Sequence, residues 1–286
     1  MANSIFSATM SNATTATFRA WGSALSSQIA KMLTRVAQTG DIDWLTVTTP
    51  ITATTFAGSE VYRFNDALQS TAPLFLKFEY GTGAYSVSSG LRLTVGKSAD
   101  GAGNIGGVLL AATTVAGYSG ALAPSNCYTS GVGSWFALSL APAENGGGSL
   151  LYIERSVNSG GTPTGDALLV GWQVAAANGQ NHRFIDYVST ATESVTGGII
   201  PLPLSLSTDR SIANGTTTPV FPAACVSPSG LYWRPRVILG TARQNAGLGE
   251  IINSLLDGNT YLSLGVGSRG ADQRGGTYAT SMIRWV

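Results

Sequence analysis

The sequence predicts a mainly β protein, with an antiparallel β-sandwich or jelly-roll-like body and one N-terminal amphipathic α-helix. Three observations predict this fold class. Short runs rich in β-branched and aromatic residues recur along the chain with turn residues between them. Gly accounts for 36 of the 286 residues, about twice the usual share, which indicates many turns. Only one segment, near the N-terminus, has convincing helical periodicity.

The helix is predicted from Phe18 to Val36, where apolar residues recur close to the i, i+3, i+4, i+7 spacing. Two interpretations stay open: the helix packs on its own domain, or it docks the protein onto a partner or onto copies of itself. The docking interpretation divides the chain into an N-terminal arm and docking helix (1–40) and a β-rich body (41–286). It assigns the interaction to the apolar residues Phe18, Trp21, Leu25, Ile29, Met32 and Val36.

The body is predicted to consist of short strands. Residues 1–14 are interpreted as an arm or docked extension, residues 247–257 as a short helix, and the Pro-rich segment 199–207 as a candidate boundary or long crossing loop. The predicted strands span residues 41–49, 74–80, 91–95, 107–116, 135–140, 150–155, 167–174, 182–189, 232–239, 261–266 and 277–285.

Charged residues make up only 11% of the chain, against about 25% in an ordinary soluble domain. A surface this poor in charge suits a subunit that is covered by its neighbours, so we expect a homo-oligomer. The net charge of +1 and the scattered Lys and Arg residues argue against a nucleic-acid partner. The first residues lack the pattern of a signal peptide, and no apolar stretch is long enough to span a bilayer as a helix.

The sequence points to no catalytic, metal-binding or cofactor-binding residues, and we expect a protein that is not an enzyme. His182 is the only histidine, which excludes a multi-histidine metal site and favours a structural or exposed role for this residue. Asp41 and Asp43 form a weak candidate cation pair, more often found as solvated residues at a strand entry. Cys127 and Cys225 are expected to be buried thiols, and the alternative is one long-range disulfide between them.

Two G-x-G-x-x-G matches, which begin at Gly101 and Gly265, are interpreted as chance matches in a Gly-rich chain. A strand-like segment follows the first and a loop follows the second, whereas a nucleotide site needs a helix there.

Aromatic residues are the one feature that suggests a glycan-binding surface. The tryptophans in apolar strands, Trp135, Trp172, Trp233 and Trp285, are predicted to be core residues. The tyrosines close to Gly and Ser are where a glycan surface would be sought first; these are Tyr118, Tyr128, Tyr261 and Tyr278.

Residues 60–83 (EVYRFNDALQSTAPLFLKFEYGTG) resemble a group of tailed-phage virion proteins. In that group a helix containing Phe18-Arg19-Ala20-Trp21-Gly22-Ser23 precedes a Trp-Thr-Val type strand, which here is Trp44-Leu45-Thr46-Val47. The resemblance is clearest over residues 16–110.

This resemblance implies a bacteriophage structural subunit of the tail, collar or fibre, assembled in the host cytoplasm with copies of itself and other virion proteins. The alternatives are a capsid decoration (cement) protein and a module that binds a host-surface glycan receptor. A polysaccharide-degrading enzyme would need paired carboxylates that the sequence does not show.

Overall fold

The computed structural model describes residues 2–8, 15–36, 56–81, 89–100, 102–118, 125–140, 149–173, 180–195, 220–222, 225–226, 229, 232–233, 235–236, 238–241, 249–254, 257–263 and 280–286. Within these residues lie one α-helix, α1 (Thr15–Met32), and one 3-10 turn (Ala67–Ser70). The strands in chain order are β1 (Ala2–Ala8), β2 (Thr34–Arg35), β3 (Phe56–Arg63), β4 (Phe75–Gly81), β5 (Ser89–Ala99), β6 (Ile105–Tyr118), β7 (Ser125–Val132), β8 (Trp135–Leu140), β9 (Ser149–Val157), β10 (Pro163–Gln173), β11 (Gln180–Asp186), β12 (Thr192–Val195), β13 (Val220–Pro222), β14 (Cys225–Val226), β15 (Tyr232–Trp233), β16 (Ile238–Thr241), β17 (Ile251–Asn253), β18 (Thr260–Ser263) and β19 (Thr280–Arg284). The mainly β fold class with an N-terminal helix is confirmed.

The strands form antiparallel sheets. A seven-stranded sheet has the order β1-β7-β8-β9-β10-β11-β12, and we call it the central sheet. A five-stranded sheet, the N-terminal sheet, has the order β2-β3-β4-β5-β6. A second five-stranded sheet, the C-terminal sheet, has the order β13-β16-β19-β18-β17, and β14 and β15 form a separate pair.

The central sheet is the middle layer of a sandwich, because both of its faces are buried. Phe136 and Leu138 belong to the core shared with α1 and the N-terminal sheet, whereas Trp135 and Ala137 belong to the core shared with the C-terminal sheet. The same alternation runs through residues 150–153 of β9. Successive side chains of a strand point to opposite faces, so a continuous apolar run is what such a doubly covered strand requires.

Helix α1 packs its apolar face into the core of its own chain. Trp21, Leu25, Ile29 and Met32 are all buried and belong to the cluster that also contains the inner face of the N-terminal sheet. Residues 1–40 therefore contribute to the same core as the body in the part of the chain that the structure describes. The candidate boundary at 199–207 lies outside the described residues.

The predicted C-terminal end of the helix was wrong. The helix ends at Met32, the Leu33 amide still donates to the Ile29 carbonyl, and the chain then enters β2. The Val36 amide donates to the Val61 carbonyl at 2.9 Å. Thr34 and Val36 are β-branched and lose side-chain freedom in a helix. Both form backbone contacts with β3 instead, and this pairing outweighs the helical pattern of the sequence.

The predicted helix over 247–257 was also wrong, because this region contains β17. Ile251 and Ile252 are β-branched and pair with Leu262 and Tyr261 of β18. Gly258, with a φ of 70°, supplies the left-handed residue that the hairpin turn requires.

Most predicted strands differ from the structure by a few residues at their ends, and two differ more strongly. The strand predicted over 232–239 divides into β15 and β16, with the buried Pro235 between them. Proline has no amide hydrogen and cannot donate to a sheet ladder, so it interrupts the strand. The strand predicted over 182–189 ends at Asp186, where a turn begins. The strand predicted at 41–49 lies outside the described residues.

Candidate functional site

The carboxylate of Glu60 is the centre of a buried polar cluster beneath α1. Its Oε2 accepts hydrogen bonds from the hydroxyls of Tyr62 (2.7 Å) and Tyr80 (3.0 Å). Its Oε1 accepts from Ser26 Oγ of α1 (2.9 Å) and from Arg35 Nη1 of β2 (2.8 Å). The Glu60 side chain is only 8% exposed, so these bonds replace its hydration. The cluster therefore ties α1 and three strands of the N-terminal sheet to one buried group.

The environment of this cluster keeps both phenols protonated. Burial raises the pKa of Tyr62, and the negative charge of Glu60 raises it further. Burial likewise raises the pKa of Tyr80, with further contributions from Tyr62 and Glu60. Both tyrosines therefore remain hydrogen-bond donors to the carboxylate throughout the ordinary pH range.

Glu154 in β9 ties the central sheet to the C-terminal part of the chain. The residue is fully buried. Its carboxylate accepts a short hydrogen bond from the indole Nε1 of Trp233 in β15 and one of 3.0 Å from the backbone amide of Arg236. The Arg236 guanidinium in turn donates to the carbonyl oxygen of Arg155 at 2.9 Å. These three bonds join segments that are about 80 residues apart in sequence.

Arg155, the next residue of β9, points to the opposite face of the central sheet and ties it to the β3–β4 connection. Its Nε donates to Asp66 Oδ2 at 2.6 Å, and its guanidinium lies 5.6 Å from the ring centroid of Phe64. The side chain is 1% exposed, so Asp66 compensates a charge that is removed from water. Adjacent charges of β9 thus link the central sheet to both outer layers.

His182 in β11 is buried, and it is bound to Tyr152 across the intervening strand. Its Nδ1 lies 2.8 Å from the Tyr152 hydroxyl, and no hydrogen-bond partner of its Nε2 lies among the residues that the structure describes. Gly171 of β10 lies opposite Tyr152 of β9 on one side and opposite His182 of β11 on the other. A Cβ atom at residue 171 would lie 2.3 Å from Tyr152 Cζ. The glycine therefore makes room for the tyrosine ring. Burial, followed by the charge of Arg183, lowers the pKa of His182 from 6.5 to about 4, so the imidazole is neutral at pH 7.

Five connections meet at one end of the molecule, which we call the turn end. They are the β3–β4, β5–β6, β7–β8, β9–β10 and β11–β12 connections. The Tyr187 hydroxyl donates to the Pro73 carbonyl at 2.8 Å, and Lys97 lies 4.8 Å from the Tyr187 ring centroid. The Arg155 amide donates to the Ser134 carbonyl. Side chains and backbone groups of neighbouring layers therefore fix these connections to one another.

The turns at this end are held by their own side chains. Asp100, Asn158 and Asp186 each accept backbone amide hydrogen bonds from residues two to four positions further along the chain. Val188 is 81% exposed, and Thr190 has a φ of 60°, in the left-handed region. The turn end is thus a surface of small polar groups from which the Val188 side chain protrudes.

The residues predicted to dock a partner are mostly covered by the chain itself. Trp21, Leu25, Ile29 and Met32 are buried in the core, so the structure favours the interpretation in which the helix packs on its own domain. Val36 lies beyond the helix. The side chain of Phe18 lies outside the described part of the structure.

The aromatic residues serve mainly as core. Trp135 and Trp172 are buried, and Trp233 and Trp285 pack against the core between the central and C-terminal sheets, as predicted. The suggestion of a glycan surface fails for Tyr128 and Tyr261, which are 2% and 1% exposed. The side chain of Tyr118, and Tyr278 altogether, lie outside the described residues.

The described residues offer no site for a metal ion or a nucleotide at the positions that the sequence singled out. The described part of the chain holds no group of three or more His, Cys, Asp or Glu residues arranged to bind a metal ion. Of the first glycine motif, Gly103 lies in the β5–β6 connection and Gly106 in β6, so a strand follows this connection, as predicted. Asp41, Asp43 and the second motif lie outside the described residues. The side chain of Cys127 is buried.

Sequence reasoning missed the buried charges. Glu154 and Arg155 directly follow the apolar run Leu150-Leu151-Tyr152-Ile153, and a charge pair inside a strand of that kind is a usable signal of a buried ion pair. No local pattern marks Glu60 as the partner of Ser26 and Arg35, because those contacts depend on tertiary structure.

No protein-family model, curated protein or solved structure matches the chain. Within the described residues, no helix combines the length and the hydropathy needed to span a lipid bilayer.

Proposed function

We propose that this chain is a non-enzymatic structural subunit of a tailed-phage virion, associated with the tail, collar or fibre, and that it acts by self-assembly and contacts with other virion proteins. The resemblance over residues 16–110 supports the virion. The physical properties of the surface support the assembly role.

The observation that carries the proposal is the low charged fraction of the chain, together with the burial of several of its charges. Charged residues are 11% of the chain, and Glu60, Glu154 and Arg155 are buried as ties between layers. These charges do not contribute to the surface, where about a quarter to a third of residues are charged in a soluble monomer. A surface so poor in charge is stable in water when neighbouring subunits cover it.

The fold suits this role because its layers are tied together by specific contacts. The Glu60 cluster holds α1, and β9 holds both outer layers through Glu154 and Arg155. A subunit of a particle has to transmit mechanical force from one neighbour to the next without changing shape. Buried charged groups with several hydrogen bonds help here, because they fix one arrangement of the three layers.

The proposal is tested by labelling purified phage particles with an antibody raised against the chain and locating the antibody by electron microscopy. Label on the tail, collar or fibres is the expected result. Label on the head would instead favour a capsid decoration protein, and particles without label would overturn the virion assignment.

The glycan-binding alternative is tested separately with the isolated chain. Retention on host cells or on their purified polysaccharide would favour it. We expect no retention, since two of the four candidate tyrosines are core residues.

A further inference from the structure

The sheets differ in how their edge strands are protected from pairing with other chains. An edge strand presents unpaired N–H and C=O groups, and monomeric proteins protect it with charges, prolines, bulges or short length. Most edges of the three larger sheets carry such a feature. β2 has two residues and includes Arg35, β12 contains Glu193, β13 contains Pro222, and β17 has three residues.

The long edge strand β6 is protected by bulges. Its pairing with β5 shifts register three times, between Leu91 and Arg92, between Leu93 and Val95, and between Val95 and Gly96. Bulges bend and twist an edge so that a further strand does not add along it.

Strand β1, at the edge of the central sheet, has none of these protective features. Its sequence, ANSIFSA, contains no charge and no proline, and all seven residues pair with β7 in unbroken register, from Ala2 opposite Gly131 to Ala8 opposite Ser125. In an antiparallel ladder every second residue points its backbone groups away from the partner strand. Within the described residues, the backbone hydrogen bonds of β1 are those to β7.

Helix α1 contacts β1 through side chains, and no described segment pairs with the outer edge of β1. Ser4 forms a short hydrogen bond with Gln28, and Lys31 Nζ donates to Ser4 Oγ at 3.2 Å. Side chains project from the face of a sheet, so these contacts attach the helix to the face of β1 and not to its edge.

We propose that the free edge of β1 is a self-assembly surface and that its partner is β1 of a second copy of this chain, in antiparallel orientation about a two-fold axis at Ile5. Two properties favour a second copy. The strand carries no charge, so self-pairing places no like charges opposite each other. In the antiparallel register centred on Ile5, Ala2 also lies opposite Ala8 and Asn3 opposite Ser7, so the outer pairs are small and uncharged.

This inference rests on the proposed assembly role and names the surface that serves it. Pairing of the two β1 strands joins two central sheets into one continuous sheet and satisfies the outward backbone groups of both edges. An isologous contact of this kind closes after two copies, so other surfaces remain free for other virion proteins.

The test is site-specific disulfide cross-linking in a variant in which Cys127→Ala and Cys225→Ser remove the native thiols. In the proposed pairing Ile5 faces its own mate, so Ile5→Cys forms a covalent dimer on mild oxidation. Asn3 faces Ser7 of the second copy. Asn3→Cys or Ser7→Cys alone therefore stays uncross-linked, because each lies about 13 Å from its own mate along the strand.

When the Asn3→Cys and Ser7→Cys chains are coexpressed, they are expected to form a disulfide-linked mixed dimer, because these two positions face each other in the proposed pairing. Neither variant forms a covalent dimer alone. Circular dichroism checks that each variant folds, and light scattering gives its mass. A folded oligomer that Ile5→Cys does not cross-link, or equal cross-linking of all three single variants, overturns this inference and leaves the proposed function standing. A folded monomer overturns both.

Discussion

Acid should destabilise this protein through His182 over a defined pH range. The imidazole is 1% exposed and has a pKa of about 4 in the folded chain, against 6.5 as its ordinary value. Between these two pH values the unfolded chain binds a proton that the folded chain does not bind. The free energy of unfolding therefore falls as the pH decreases from about 6.5 to about 4, and this contribution is absent above that range.

The size of the effect follows from the two pKa values. The full difference corresponds to about 3 kcal/mol below pH 4, since each pKa unit is worth about 1.4 kcal/mol. At pH 5 the unfolded histidine is almost fully protonated, and the loss is about 2 kcal/mol.

The assay is urea unfolding of the native protein and of His182→Gln, each at pH 7.5 and pH 5. The glutamine keeps a hydrogen-bonding group near Tyr152 but does not titrate, and the carboxylates contribute equally to both proteins. We expect the native protein to lose about 2 kcal/mol more than the variant between the two pH values. The reasoning is refuted if the two proteins lose the same stability.

Three further changes follow from the buried contacts. Glu60→Ala leaves three hydroxyls and Arg35 without their shared acceptor and should cost about 3 kcal/mol or more in urea unfolding. Glu79→Ala removes a carboxylate that is 19% exposed, against 8% for Glu60, and should cost less than about 1 kcal/mol. Equal costs would contradict the importance of the cluster. Gly171→Ala places a methyl group against the Tyr152 ring and should lower the free energy of unfolding by about 1–3 kcal/mol. The control is Gly161→Leu, which is strained by its positive φ but has no atom within 4 Å of the added Cβ. Tyrosine fluorescence should therefore change more in Gly171→Ala than in Gly161→Leu. Deletion of residues 1–36 exposes the core beneath α1 and should give an insoluble or unfolded product; a soluble, cooperatively folded body would show that the helix is a separate docking element.

The bounds of a strand could be predicted from the sequence where an apolar run lies directly between turn residues. Strand β8 was predicted with the bounds that the structure has, because an aromatic and aliphatic run stands between turn residues. Strand β7 was missed, since SNCYTSGV is mostly polar and lacks strict alternation. It is a strand because β1 and β8 pair with it on both sides, and Thr129 and Ser130 are buried there.

The structure also adds a second cause for the low charge of the chain. A central sheet buried on both faces needs apolar residues at nearly every position, as residues 150–153 illustrate, and this requirement alone lowers the charged fraction of the sequence. Composition could not separate this cause from coverage by neighbouring subunits. The partners of Glu60 and Arg155 were beyond local prediction for a related reason, since these residues meet their partners only when the layers pack.

The central claim is that this chain works as a subunit in contact with other copies of itself. Light scattering across a wide dilution series of the purified, folded protein tests the claim most directly. We expect an oligomer whose mass is a multiple of 29.4 kDa and which does not dissociate on dilution at moderate salt. A single species of 29.4 kDa at every concentration would contradict it.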